Sequence, residues 1–242
     1  MSKNKQPFIF KQFEVNHSRS SMKIGVDAVI LGAWADLESA HTVLDVGCGC
    51  GVIALMAAQR ASDAKIEAID IDSESIEEAI GNFQTSKWSS RLKADRIDFS
   101  EYCEYALSKG DKFDYIISNP PFFDSGITNP DTSRLKARHQ GLLSPEIILE
   151  KGKSILFDTG LIGIVVPWNM ADSLKISAQQ LGLYAVRSLV MTGRAGNLPK
   201  RCFMEFSTKG GTGKIGTLTI ENPDGTFTDD YISLCRDFYI KF

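Results

Sequence analysis

One segment, Val43-Leu44-Asp45-Val46-Gly47-Cys48-Gly49-Cys50-Gly51, constrains the fold more than any other. An apolar strand runs without a break into glycines at alternate positions, and an apolar helical stretch over 52–60 follows at once. Gly47 and Gly49 allow backbone angles closed to other residues and place no side chain between the turn and a ligand. The N-terminus of the next helix adds free N–H groups. A nucleoside-type cofactor can lie against such a turn. A tight strand-to-helix turn with no ligand would carry glycines as well, so the cluster alone leaves both readings open.

The alternation continues along the chain. Strands are predicted over 42–46, 65–69, 92–97, 113–118 and 161–167, and helices over 27–37, 52–60, 73–84, 100–109, 144–157 and 170–181. Ile76, Ala79, Ile80 and Phe83 have the spacing of one helical face. Ser144 is placed to cap a helix that has Pro145 at its first position. The end of the chain changes character, and 185–192, 201–208 and 215–220 read as antiparallel β. The expected fold is α/β: a Rossmann-like, doubly wound, mostly parallel seven-stranded sheet with an antiparallel edge hairpin. Ligands of such sheets sit beyond the carboxyl ends of the strands, near the switch point of strand order. The expected organisation is a basic N-terminal arm, 1–23, and a single domain, 24–242.

Composition narrows the class. The chain has 242 residues, 43% of them hydrophobic, which suits one folded α/β domain. Its longest apolar run, at 161–167, is strand-sized, and 1–10 lacks the apolar stretch of a signal peptide. The five cysteines are odd in number and form no C-x-x-C, and the three histidines are scattered. The expectation is a monomer in a reducing cytoplasm, with no membrane and no metal.

Two carboxylates sharpen the cofactor reading. Asp70 ends the second strand, where an acid can accept both hydrogens of a ribose diol, and neighbouring Asp72 suits a helix cap. Asp98 ends the third strand. It can accept from an adenine amino group while Ile71 and Phe99 sandwich the ring, or it can cap the next helix. The spacing G-x-G-x-G, not G-x-G-x-x-G, argues against a nicotinamide oxidoreductase and for a cofactor without a pyrophosphate. With Asp45 two residues before Gly47, the segment resembles motif I of the class I S-adenosylmethionine-dependent methyltransferases. That resemblance implies that Asp45 and the turn (Gly47, Cys48, Gly49, Gly51) hold the methionine end, Asp70 the ribose and Asp98 the adenine. Cys48 and Cys50 are read as small fillers, not nucleophiles.

Asn119-Pro120-Pro121-Phe122 follows the fourth strand. Asn119 and Pro120 both precede prolines and are pushed away from helical angles, and neither proline has an N–H. The stiff turn leaves the Asn119 side-chain oxygen and the Pro120 carbonyl to accept the two hydrogens of one NH₂ group, with Phe122 as a stacking face. This suits a conjugated amine, which needs alignment and charge stabilisation and no strong base. Within this fold the tetrapeptide resembles motif IV of amino methyltransferases, whose acceptors include adenine N6, guanine N2, cytosine N4 and glutamine amides.

The choice among acceptors rests on the rest of the chain. The stretch from Phe10-Lys11-Gln12-Phe13 through Met22-Lys23-Ile24-Gly25-Val26-Asp27 to Trp34, the N-P-P-F turn and the late Asn197-Leu198-Pro199-Lys200-Arg201 are together similar to the bacterial tRNA adenine-N6 methyltransferase family that modifies tRNA1(Val). The resemblance runs nearly end to end. It implies methylation of the adenine at position 37, just 3′ of the anticodon, with Lys23 to Asp27 closing over the methionine end of the cofactor. Val26 stands where relatives are expected to carry a small hydroxyl residue.

Charge is uneven in a way that fits RNA. The net charge is −3, yet 61–104 holds eleven acids and five bases, while three segments are basic. These are the arm (Lys3, Lys5, Lys11, Arg19, with Lys23), the loop after the proline turn (Arg134, Lys136, Arg138) and the late segment (Arg194, Lys200, Arg201). An anticodon-loop adenine is already partly unstacked, so presenting it costs less than flipping a base from a duplex. The alternatives are an amino methyltransferase acting on rRNA guanine N2 or a release-factor glutamine, and a non-catalytic RNA-binding assembly factor.

Overall fold

The computed structural model describes residues 6–20, 23–121, 143–211 and 213–242. Strands β1 (Phe8–Ile9) and β2 (Glu14–Val15) pair antiparallel and lead to helix α1 (Val26–Trp34). Strand and helix then alternate through β3 (Thr42–Val46), α2 (Val52–Arg60), β4 (Lys65–Asp70), α3 (Ser73–Thr85), β5 (Leu92–Arg96), α4 (Phe99–Lys109) and β6 (Phe113–Ser118). After α5 (Pro145–Ser154) come β7 (Leu156–Pro167), α6 (Ala171–Gln180), β8 (Tyr184–Arg194), β9 (Arg201–Ser207), β10 (Lys214–Glu221) and α7 (Asp229–Cys235).

The main sheet runs β10-β8-β9-β7-β6-β3-β4-β5. Strand order reverses at β3, which pairs in parallel with β4 on one side and β6 on the other. Apolar residues lie on both faces of the sheet. Val43 joins a core with α1, α2 and α3, and Leu44 and Val46 join a second core with α4, α5 and α6. This is the doubly wound α/β fold that the alternation predicts.

The sheet has eight strands, not seven, and its antiparallel strand is not at the edge. β9 lies between β7 and β8 and pairs antiparallel with both, while β10 takes the edge, parallel to β8. Burial explains the placement. Cys202 to Phe206 are buried on both faces of β9, so that strand needs a neighbour on each side, whereas 214–217 of β10 are exposed and tolerate an edge.

Other boundaries also move. The helix expected over 144–157 ends at Ser154, and β7 begins at Leu156. β7 reaches β6 through a register shift between Phe113 and Tyr115. The sequence reading missed α7, which Thr228 caps by accepting the N–H of Tyr231. The described part of the N-terminal segment packs on the rest of the chain. Phe10, Phe13 and Val15 are buried, Phe10 stacks on Phe13 and Tyr239, and Lys11 Nζ donates to the carbonyls of Arg236 and, at 2.9 Å, Phe242. No helix among the described residues is long and apolar enough to cross a membrane.

Candidate active site

The glycine turn folds onto the end of β4. The N–H groups of Gly47 and Cys48 donate to the Ile69 carbonyl at 2.9 and 3.0 Å. The next free N–H, that of Gly49, donates to Asp70 Oδ2 at 2.9 Å. Gly47, Gly49 and Gly51 have φ of 69°, 53° and 80°, values that favour glycine. A Cβ on Gly49 would meet none of the described residues within 4 Å, so among them the turn has room there. A Cβ on Gly51 would lie 2.5 Å from Phe83 Cε1, so that glycine also lets α3 approach.

Asp45 and Asp70 flank this turn, and Asp72 and Asp98 follow the neighbouring strands β4 and β5. Asp45 is fully buried. Its Oδ2 accepts the N–H of Ala54 at 3.0 Å, and its Oδ1 is buried with no partner among the described residues. Burial pushes the Asp45 carboxyl up to about 7; the Ala54 N–H opposes the shift and the nearby Asp70 charge adds to it. Asp70 accepts from Gly49 through Oδ2 and from the Asp72 N–H through Oδ1 at 2.9 Å, and burial raises it despite those bonds. Each Asp70 oxygen keeps a further lone pair. Asp98 caps α4: its Oδ1 accepts from Ser100 at 2.8 Å and Glu101 at 3.4 Å. Asp72 caps α3, accepting the Ser75 N–H at 2.9 Å.

These features fit an S-adenosyl cofactor. The unpartnered Oδ1 of Asp45 suits an ammonium group, Gly49 leaves room, and the Asp70 lone pairs suit a diol. Ile71 is half-buried at the end of β4. Phe99 is 3% exposed, and its ring lies in the second core, within reach of Gly152, where it supports the sheet. Both thiols are buried, and burial raises Cys48 well above its ordinary value and Cys50 to about 12, which disfavours the reactive thiolate.

Asn119 leaves β6 beside this turn. Val46 pairs with Ser118, and the Ser118 hydroxyl donates to the Val46 carbonyl at 2.7 Å, so Gly47 and Asn119 leave neighbouring strands at the same level. Asn119 is half-buried, Pro120 buried and Pro121 half-buried. Phe122 lies outside the described residues, as do Lys3, Lys5, Arg134, Lys136 and Arg138.

Most of the remaining expected contact residues have partners within the chain. Asp27 and Arg201 form an ion pair at 2.7 Å that ties the start of α1 to the start of β9. Lys23 Nζ donates to the carbonyls of His17 at 2.5 Å and Ser18 at 3.2 Å. Arg19 pairs with Glu77 at 2.5 Å, and Arg194 with Glu221 at 2.7 Å. Lys200 is exposed, and its carbonyl accepts the N–H of Trp168, a partly exposed residue that sequence reading passed over. Sequence reading also passed over Glu78 and Asn82 of α3, which hold the N-terminal segment. Both lie on the buried face of α3, a position read as apolar helix packing alone.

Comparison with known proteins gives the family. The methyltransferase small domain model matches residues 18–166. The chain is similar to the tRNA1(Val) (adenine(37)-N6)-methyltransferases of Trichodesmium erythraeum (38% identical, covering 97% of this chain and 98% of that one) and Bacteroides fragilis (39%, 98% and 99%). Among solved structures it resembles a predicted O-methyltransferase from Agrobacterium tumefaciens at 16% identity and a TM-score of 0.67, covering 88% of this chain and 96% of that one. The residues matched by the domain model contain the glycine turn, Asp70, Asp98 and Asn119, and the similarity to the two relatives runs the length of the chain. The chain belongs to the tRNA1(Val) (adenine(37)-N6)-methyltransferase family.

Proposed function

We propose that this chain transfers a methyl group from S-adenosylmethionine to N6 of adenine 37 in tRNA1(Val). The observation that carries this reading is the placement of Asn119-Pro120 level with the glycine turn, across the β3–β6 pair at the switch point. When bound, S-adenosylmethionine supplies a methyl group activated on a sulfonium. Asp45 and the glycine turn hold its methionine end, Asp70 its ribose, and the second oxygen of Asp98 its adenine amino group. The Asn119 oxygen and the Pro120 carbonyl accept the two hydrogens of the target N6, aim its lone pair and stabilise the positive charge that develops there. The methylated nitrogen is acidic, so its proton leaves without a dedicated base. Phe122 supplies the stacking face. Lys200, Leu198 and Trp168, on the hairpin and strand end beside this turn, offer RNA a cation and two apolar surfaces. The chain acts as a monomer on this reading.

The test is incorporation of labelled methyl into bulk tRNA that lacks this modification, followed by nucleoside analysis. N6-methyladenosine at position 37 is the expected product. Label appearing only in rRNA as a methylguanosine, or only in a release factor, would replace the substrate assignment.

A further inference from the structure

Glu78 and Asn82 are polar, 6% and 1% exposed, and have no part in the proposed reaction. They stand one helical turn apart on α3 and so share a face. Glu78 Oε1 accepts the N–H groups of Ser18 and Arg19 at 2.7 and 3.0 Å, and Oε2 accepts that of Ser20 at 2.8 Å. Asn82 Oδ1 accepts the N–H of Asn16 at 2.8 Å. Its Nδ2 donates to two carbonyls, those of Asn16 and Cys50, each at 2.9 Å. From the opposite side Lys23 takes the carbonyls of His17 and Ser18.

Residues 16–20 belong to no strand or helix. An anion satisfies their N–H groups, a cation satisfies two of their carbonyls, and one amide fixes their start. That amide also bonds the glycine turn through Cys50. Segment and turn therefore share one buried joint. If the segment undocks, Glu78 loses its three N–H donors and Asn82 loses its bonds to Asn16 and keeps only that to Cys50, so the turn keeps a support that is no longer held in place. A buried carboxylate stripped of its donors is costly.

We propose that Glu78 and Asn82 are positioning residues for cofactor binding: they dock residues 16–20 against the glycine turn, and the docked segment keeps that turn in its cofactor-binding shape. This rests on reading Gly47 to Gly51 as the cofactor turn. Coupling of this kind is reciprocal. If docking raises cofactor affinity, bound cofactor shifts the docking equilibrium toward the docked state by the same factor.

The test uses the full chain and S-adenosylhomocysteine. In the wild type, S-adenosylhomocysteine should slow amide hydrogen exchange at Ser18, Arg19 and Ser20. Glu78→Gln keeps the shape but turns an NH₂ toward backbone donors. It should speed exchange at those amides and raise both the S-adenosylhomocysteine Kd and the S-adenosylmethionine KM about tenfold, with kcat held within about twofold. Asn82→Ala should act in the same direction. A purely structural clamp would free the amides without moving Kd, and that result overturns the proposal. So does wild-type exchange that ignores S-adenosylhomocysteine. Failure of the wild type to bind S-adenosylhomocysteine at all would instead sink the cofactor-turn reading, and this inference with it.

Discussion

Replacing Asp45 by asparagine separates two consequences of its burial. The folded carboxyl titrates near 7, far above its ordinary value of 3.8, chiefly because burial penalises the charged form. The native state therefore holds the Asp45 proton more tightly than the unfolded chain does. The sign follows: this carboxyl does not weaken the cofactor-free fold below about pH 4, and it weakens it progressively as pH rises to about 7. Taken at face value the gap corresponds to roughly 4 kcal/mol, an upper bound for a group of this kind. An asparagine side chain has the same shape and no charge. Asp45→Asn should thus match the wild type in thermal melts near pH 4 and exceed it at pH 8.

Cofactor binding should reverse the ranking. An ammonium beside Oδ1 favours the carboxylate, so binding expels the proton. At pH 6 the cofactor's own α-amino group is already charged, since such groups titrate at about 7.7–8.0. A carboxyl with a value of about 7 is roughly nine-tenths protonated at pH 6. Calorimetry of S-adenosylhomocysteine binding in two buffers of different ionisation enthalpy should therefore report release of roughly 0.9 proton per site at pH 6. Asp45→Asn should bind more weakly and release none. A mutant that releases the same number of protons as the wild type, or one less stable than the wild type at pH 8, would refute the assignment.

Other perturbations read other parts of the molecule. Asn119→Ala should lower kcat by about 10²–10³-fold, the loss typical of one charge-stabilising acceptor or donor, with little change in S-adenosylhomocysteine affinity; equal loss of both would make Asn119 a cofactor ligand. Gly51→Ala should destabilise the fold by about 2–4 kcal/mol in urea melts, because it combines a positive φ with a Cβ against Phe83. Arg187→Met should cost about 2–4 kcal/mol, because it strips the guanidinium from Glu205, which is 1% exposed. The double variant Arg187→Met, Glu205→Gln should be milder than the sum of the single changes. Lys200→Ala should weaken tRNA binding and reduce the log–log salt slope by about 1 if this lysine meets a phosphate. An unchanged slope would remove Lys200 from the RNA surface.

Local pattern accounts for what the sequence revealed. The βα alternation and the glycine turn needed only neighbouring residues, so β3 to β6 and their helices fall close to where periodicity puts them. The end of the sheet did not, because β9 and β10 differ less in sequence than in the neighbours they require. Only the two-sided burial of Cys202 to Phe206 puts β9 inside. The partners of the basic residues were hidden for a related reason. A sequence shows that Lys11, Arg19, Arg194 and Arg201 are cations but hides the carboxylates and carbonyls they meet, which lie as far as 231 positions away. The place of Phe99 after Asp98 does not reveal that a helix begins there and carries its ring into the core.

Asp98 could be read from sequence as a helix cap or as a ligand, and the geometry of a carboxylate at a strand end leaves room for both roles. Strands of a parallel sheet all deliver their carboxyl ends to one edge, where helix N-termini with unsatisfied N–H groups gather. Acceptors are needed there whatever binds, so Asp70, Asp72 and Asp98 collect at that edge. A carboxylate has about four acceptor sites. Asp98 spends Oδ1 on two N–H groups and keeps Oδ2, and Asp70 spends one site on each oxygen. The backbone bond orients each oxygen, and the remaining lone pairs are held in place before a ligand arrives. Asp72 differs: its Oδ2 takes both the N–H and the hydroxyl of Ser75 and is turned toward α3. Substitutions can separate the two roles. Asp98→Asn keeps an oxygen for the cap but presents an NH₂ where the adenine amino group needs an acceptor. It should weaken S-adenosylhomocysteine binding with little loss of fold stability, whereas Asp72→Asn should change neither by much. Equal thermal destabilisation by both, with cofactor affinity untouched, would show that Asp98 is a cap and nothing more.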